Sequence, residues 1–235
     1  MMLDSDPFKK HLGILVHPSS LPGGSYCGTF GESIKEWIEI LSTNQISTWQ
    51  FLPLSPTDAK GSPYSSPSSF ALNPWFLDVN ELIKSKFIIE SDQIRKIQQT
   101  GDKLDYFEFR IADELSKIIG KLLIDSWELQ SVNKKNKFLE WCKLNNWVDD
   151  YSTFISIKEE FKFSAWWNWP NELKYKNKEA IDKWQKANNK SILTHKLIQW
   201  HLNRQWLKIK RFAEIKGVKL IGDLPFYVSK DSVDV

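Results

Sequence analysis

Apolar positions along this chain follow two rhythms. Three short, nearly unbroken apolar runs lie near its two ends: HLGILVH at residues 11–17, STWQFLPL at 47–54 and VKLIGDLPFYV at 218–228. The first two close on proline, and the third carries Asp223 where a strand hands over to its loop, so each is expected to be a buried strand leading into a turn. Between the first two, Ile34, Trp37, Ile38 and Leu41 recur at the spacing of one helix face, and the segment stops near Asn44. Strand, helix and strand in close succession form a right-handed crossover unit, the building block of a parallel sheet covered by helices. An α/β architecture follows.

The second rhythm is helical and fills most of residues 81–189, where Leu115, Ile118, Ile119, Leu122 and Leu123 alternate with lysine and glutamate. The segment WWNWP at 166–170 interrupts it, because the residue before a proline is pushed out of the helical region. A last helix is predicted over 191–216, with Leu193, Leu197, Trp200 and Leu207 on one stripe and Gly217 as its stop. The chain thus divides into residues 1–80 (two strands and a loop), 81–190 (a helical insertion) and 191–235 (a helix and the third strand). The loop at 55–73 is long and polar, with six serines between Ser55 and Ser69, and long loops of this kind carry function more often than not. Three strands are too few to close a barrel, which takes about eight. Either the sheet is small and open, or the chain is part of a longer fold.

Composition narrows the function classes. With 41% hydrophobic and 26% charged residues in 235, the chain supports one sizeable core. The net charge of +3 is spread among interleaved lysines and acids, which disfavours nucleic acid as a partner. No apolar stretch reaches the length of a membrane span, since Lys121 and Asp125 interrupt the most apolar segment. The opening MMLDSDPFKK lacks the pattern of a secretion signal, and Cys27 and Cys142 match no metal or disulfide spacing, so a cytoplasmic setting is expected. Nine of the 12 tryptophans fall in the second half. Trp166, Trp167 and Trp169 suit a sugar platform or a helical core, and core is the commoner use.

Four segments occur in order: GILVHPSSLPGG at 13–24, WQFLPLSP at 49–56, GSPYSS at 61–66 with Asn73-Pro74, and IGDLPFYVSKDS at 221–232. Together they resemble the amylomaltase (disproportionating enzyme) family of 4-alpha-glucanotransferases. The resemblance implies the N-terminal part of a (β/α)8 TIM barrel with a large helical insertion. It also implies α-1,4-glucans and maltooligosaccharides as substrates, with no cofactor and no metal. In the family, the tyrosine matching Tyr64 lies beside the sugar at the bond to be broken, and the aspartate matching Asp223 binds sugar hydroxyls. A tyrosine offers a flat apolar face, and a carboxylate accepts strong hydrogen bonds, so both choices make chemical sense. Ser62 is a third candidate for substrate binding.

Retaining transfer uses two carboxyls about 5 to 5.5 Å apart. The family places both on later strands, so the nucleophile and the acid/base are expected beyond Val235. No catalytic residue is assigned here, and these 235 residues alone are expected not to turn over glucan. A starch hydrolase of the same barrel group and a non-catalytic glucan-binding module are the alternatives, and the oligomeric state stays open. Asp231 is expected to cap a following helix. His17 is expected to be structural, because no acid partner lies nearby in sequence. His195 and His201 share a helix at a spacing that suits no metal, and Gly23-Gly24 lacks the lysine of a phosphate loop.

Overall fold

A computed structural model describes residues 12–22, 27–101 and 109–235. The opening MMLDSDPFKK, His11 and the Gly23-Gly24 pair lie outside the described residues. In chain order the elements are β1 (Gly13–Leu15), α1 (Glu32–Thr43), β2 (Thr48–Gln50), α2 (Val79–Lys84), α3 (Asp92–Gly101), α4 (Phe109–Asp125), α5 (Val132–Leu144), α6 (Trp147–Glu160), α7 (Asn171–Lys174), α8 (Lys178–Ala187), α9 (Asn189–Ile215) and β3 (Lys219–Ile221). One-turn 3-10 helices at Pro18–Ser20, Pro63–Ser65, Pro74–Phe76 and Trp166–Asn168 punctuate the loops. The chain is mostly helical around a small parallel sheet.

The three apolar runs form neighbouring parallel strands in the order β1-β2-β3, in a register that aligns Ile14, Trp49 and Leu220. Successive side chains in a strand point to opposite faces. The Ile14–Trp49–Leu220 row therefore turns one way, into the main core, where Trp49 is fully buried and its indole N–H donates to the Val16 carbonyl at 2.8 Å. Leu15, Gln50 and Ile221 turn the other way and are exposed. This corrects the expectation of buried strands: helices cover a single face of the sheet, and the length of an apolar run does not reveal how many faces are covered.

Helix α1 buries Ile34, Ile38 and Leu41 completely. The long helix α9 is the spine of the molecule, packing against α1, α4, α5, α6, α8 and β3. Its buried side includes Leu197, Trp200, Leu202, Ile209 and Ala213, whereas Leu207, expected on that stripe, is 53% exposed. The stripe drifts because the helix serves different neighbours along its length, and the sheet end of α9 buries Ile209 and Ala213 instead.

At its end the Val218 N–H donates to Ala213 and the Gly217 N–H to Glu214. Gly217 has a φ of 71°, the left-handed geometry that ends a helix and that glycine adopts at no steric cost. Ser42 Oγ donates to the Lys216 carbonyl at 2.9 Å, fastening this corner to α1.

Two buried glutamines of α9 reach back to the segment that follows the long polar loop. Gln199 accepts from the Leu72 N–H at 2.9 Å and donates to the Leu72 carbonyl at 2.8 Å. Gln205 does the same for Asp78, at 2.9 Å in both directions. Asp78 in turn caps α2 through the Glu81 N–H and accepts from Thr29 Oγ1. A Cβ at Gly31 would fall 1.9 Å from the Asp78 carboxylate, so a side chain there would push the capping carboxylate out of place.

The tryptophans of the second half are mainly core: Trp169 and Trp200 are buried, Trp167 is 36% exposed, and Trp166 lies between. Cys27 and Cys142 are free thiols. No described helix is long and apolar enough to cross a membrane.

Truncating a fully buried side chain loses transfer energy and leaves a cavity. Ile38→Ala is expected to destabilise the fold by about 2–5 kcal/mol, and Leu207→Ala by less than about 0.5 kcal/mol. Urea unfolding followed by circular dichroism checks both.

Candidate functional site

Because the strands are parallel, the loops that leave β1, β2 and β3 emerge on one edge of the sheet. The loop after β2 is the long polar one at 55–73, and it is built rather than structureless. Asp58 Oδ1 accepts the Lys60 and Ser62 N–H groups at 2.9 Å each, and the Asp58 backbone exchanges bonds with Gly61 and Ser62. Aspartate forms such turns because its short carboxylate reaches the backbone two residues on. Gly61, with a φ of 83°, completes the turn. The serines explain themselves locally: Ser55 donates to the Pro63 carbonyl, Ser66 Oγ bonds the Ser68 backbone, and Ser68 Oγ accepts from Phe70 and Ala71.

This turn presents Tyr64, half-buried, from the Pro63–Ser65 helix. Its phenol donates to Asp223 Oδ2 at 2.6 Å, although the two residues are 159 positions apart. Asp223 is exposed two residues beyond β3, and its second oxygen has no partner among the described residues. The hydrogen bond to Asp223, then burial, then the carboxylate charge raise the Tyr64 pKa above the ordinary tyrosine value. The pair thus offers a protonated phenol face beside a carboxylate with a free acceptor. A shallow hollow of about 210 Å³ adjoins it, lined by Phe51, Pro53, Phe70 and Leu72 as well as Asp223. Ser62 sits on the same turn two residues before Tyr64, with its N–H spent on Asp58, and no bond joins it to the pair.

The model of a family described as 4-alpha-glucanotransferase matches residues 16–235. The chain belongs to this family. Among curated members it is 34% identical over 221 residues to a 4-alpha-glucanotransferase of Clostridium butyricum, covering 94% of this chain and 44% of that one. It is 33% identical over 225 residues to that of Aquifex aeolicus, covering 95% and 44%. The solved amylomaltase from Streptococcus agalactiae in complex with acarbose aligns with a TM-score of 0.85 at 27% identity, covering 96% of this chain and 45% of that one. The chain therefore spans under half the length of each of these family members.

The remaining candidates fall away from the pair. His17, at the end of β1, sets its ring edgewise on Phe76 at 5.5 Å, and its Nδ1 is buried without a partner among the described residues. Burial lowers its pKa to about 4, so it is neutral at neutral pH. Asp231 caps no following helix among the described residues: its carboxylate accepts from Lys158 Nζ at 2.7 Å and, at 3.3 Å, from the N–H of Trp166, the first residue of the Trp166–Asn168 helix. Buried Lys158 needs a counter-charge, and that need draws the Asp231 carboxylate back to α6. His195 contacts Glu159 at 3.0 Å and His201 contacts Arg204 at 2.7 Å. No cluster of three or more potential metal ligands occurs among the described residues. Val235 is an exposed apolar side chain.

Residue spacing does not single out Asp58, Gln199 or Gln205, which place the loop. The cue that exists for Asp58 is its turn composition, aspartate two residues before Lys60-Gly61. The two glutamines give no cue, since a polar residue in a helix reads as solvent-facing.

Two titrations test these assignments. Asp223→Asn is expected to lower the Tyr64 titration midpoint toward that of free tyrosine, read by 13C-tyrosine NMR. For His17, the folded pKa of about 4 lies below the unfolded value of about 6.5. Only the unfolded state takes up the proton between those values, so stability falls as pH drops through this window. Urea unfolding of the parent and of His17→Phe across pH 4 to 7 is expected to show a shallower fall in the variant.

Proposed function

We propose that this chain supplies sugar-binding residues of an α-1,4-glucan transferase, with Tyr64 and Asp223 holding one glucose ring at the C-terminal edge of the sheet and Ser62 flanking them. The single observation that carries this reading is the 2.6 Å bond between Tyr64 and Asp223. It unites two loops that leave adjacent parallel strands, at the edge where strand-end residues of α/β barrels do their chemistry. A tyrosine ring can pack on the C–H face of a sugar, while the unpartnered Asp223 oxygen accepts from its hydroxyls. Family membership supports the substrate class, as does the acarbose complex of the Streptococcus agalactiae amylomaltase.

The finer architecture proposed is the opening part of a (β/α)8 barrel, with the exposed Leu15–Gln50–Ile221 row facing the barrel interior and residues 81–190 forming a helical insertion. Retaining transfer needs a nucleophile and an acid/base about 5 to 5.5 Å apart. The family resemblance places both on later strands, beyond Val235, and no residue of this chain is assigned to either role. The proposed setting is cytoplasmic, in keeping with two free thiols.

Calorimetric titration with maltoheptaose tests the reading. Hydrogen bonds to charged groups contribute about 1.5–3 kcal/mol. Asp223→Asn and Tyr64→Ala are therefore each expected to weaken binding roughly 10- to 100-fold, with no conversion of maltotriose to longer sugars by these 235 residues alone. Affinity unchanged in both variants would sink the site.

A further inference from the structure

The Asp223 loop has little of its own to hold it. Beyond Asp223 the side chains of Leu224, Phe226, Tyr227 and Val228 are 85%, 88%, 50% and 50% exposed, so packing does not fix its course. The loop is anchored at its ends. At the start, the Phe51 N–H donates to the Ile221 carbonyl at 3.1 Å. At the far end, residues 230–234 are bonded on two sides. Towards the helices, Asp231 receives Lys158 and the Trp166 N–H, while the Trp166 indole donates to the Lys230 carbonyl at 2.7 Å. Towards the Tyr64 loop, the Val233 N–H donates to the Pro67 carbonyl at 3.0 Å and Asp234 Oδ2 accepts the Ser69 N–H at 2.7 Å.

The two loops that carry Tyr64 and Asp223 are thus joined twice, once at the pair and again several residues further along each. Lys158 decides where the second junction sits. Its side chain is 8% exposed, and its ammonium lies 5.4 Å from the centre of the Phe154 ring. A charge in such surroundings is costly unless a partner meets it, and the Asp231 carboxylate meets it at 2.7 Å.

We infer that Lys158 and Asp231 are positioning residues for the candidate site: the ion pair pins the far end of the Asp223 loop and thereby holds Asp223 within hydrogen-bond reach of Tyr64. Its consequence for glucan binding rests on the function proposed above, but the geometric claim does not. Neither residue touches the pair. Lys158 belongs to α6, in the helical region, so this region reaches the sheet edge through Lys158 and, beside it, Trp166.

The test reads the Tyr64 phenol directly in protein labelled with 13C at the tyrosine ring, the signal being assigned by its loss in Tyr64→Phe. In Asp231→Ala and Lys158→Met, the Tyr64 midpoint is expected to fall as far as it does in Asp223→Asn. Asp231→Glu, which keeps the carboxylate, is expected to retain the parent value. A purely structural ion pair would lower the melting temperature and leave the midpoint where it was. An unmoved midpoint in a folded Asp231→Ala variant overturns the inference. Should Lys158→Met fail to fold, Asp231→Ala removes the same contact from its less buried side and decides alone. No sugar is present in the titration, so a failure of maltoheptaose binding bears on the proposed function, and an unmoved midpoint bears on the positioning role.

Discussion

Two buried side-chain amides, Gln199 and Gln205 of α9, set the position of the segment that closes the Tyr64 loop. An amide taken out of water must have both its donor and its acceptor satisfied or lose about 1–3 kcal/mol for each group left unpaired. Each of these glutamines pairs both ways with the backbone of one residue, Leu72 or Asp78, and Gln205 donates to Glu81 as well. Neither can slide along the chain without breaking both bonds. The segment that closes the polar loop is therefore held at two points six residues apart, and the Asn73 N–H adds a third tie to the Leu54 carbonyl at 2.8 Å. Tyr64 stands on a loop whose exit is fixed by the helix that runs directly into β3, the strand that delivers Asp223.

Sequence legibility followed the range of the interaction. Strand positions, the helix at 32–43 and the stop at Gly217 were all readable, because apolar spacing and a positive φ are properties of a few consecutive residues. Which face of the sheet is covered was not readable, since the run around Trp49 looks the same whether helices lie on one side or two. Leu207 misled for a related reason: a stripe drawn from hydrophobicity assumes one partner for the whole helix, and α9 has several. Asp231, expected to cap a following helix, misled because the buried Lys158 that claims its carboxylate lies 73 positions away.

The pairing of Tyr64 with Asp223 came from family resemblance and not from pattern, and the structure independently brings the two into contact. What the resemblance did not contain is the support around them. Asp58 shapes the turn, the loop serines bond the backbone of the same loop, and Asp231 answers a charge on a distant helix. These are short polar contacts between residues of ordinary type, and no periodicity announces them. The chemistry of the edge is accordingly carried by few residues and its geometry by many.

The half-covered sheet has a consequence for these 235 residues when they stand alone in bulk solution. Leu15 and Ile221 on the bare face are 56% and 48% exposed, and Leu224, Phe226 and Phe70 add 85%, 88% and 64% exposure close by. A net charge of +3 gives copies of the molecule little mutual repulsion, while contiguous apolar surface attracts. Colloidal stability therefore falls as protein concentration rises, and falls faster in sulfate or phosphate than in chloride, because excluded salts strengthen the drive to hide such a face from water.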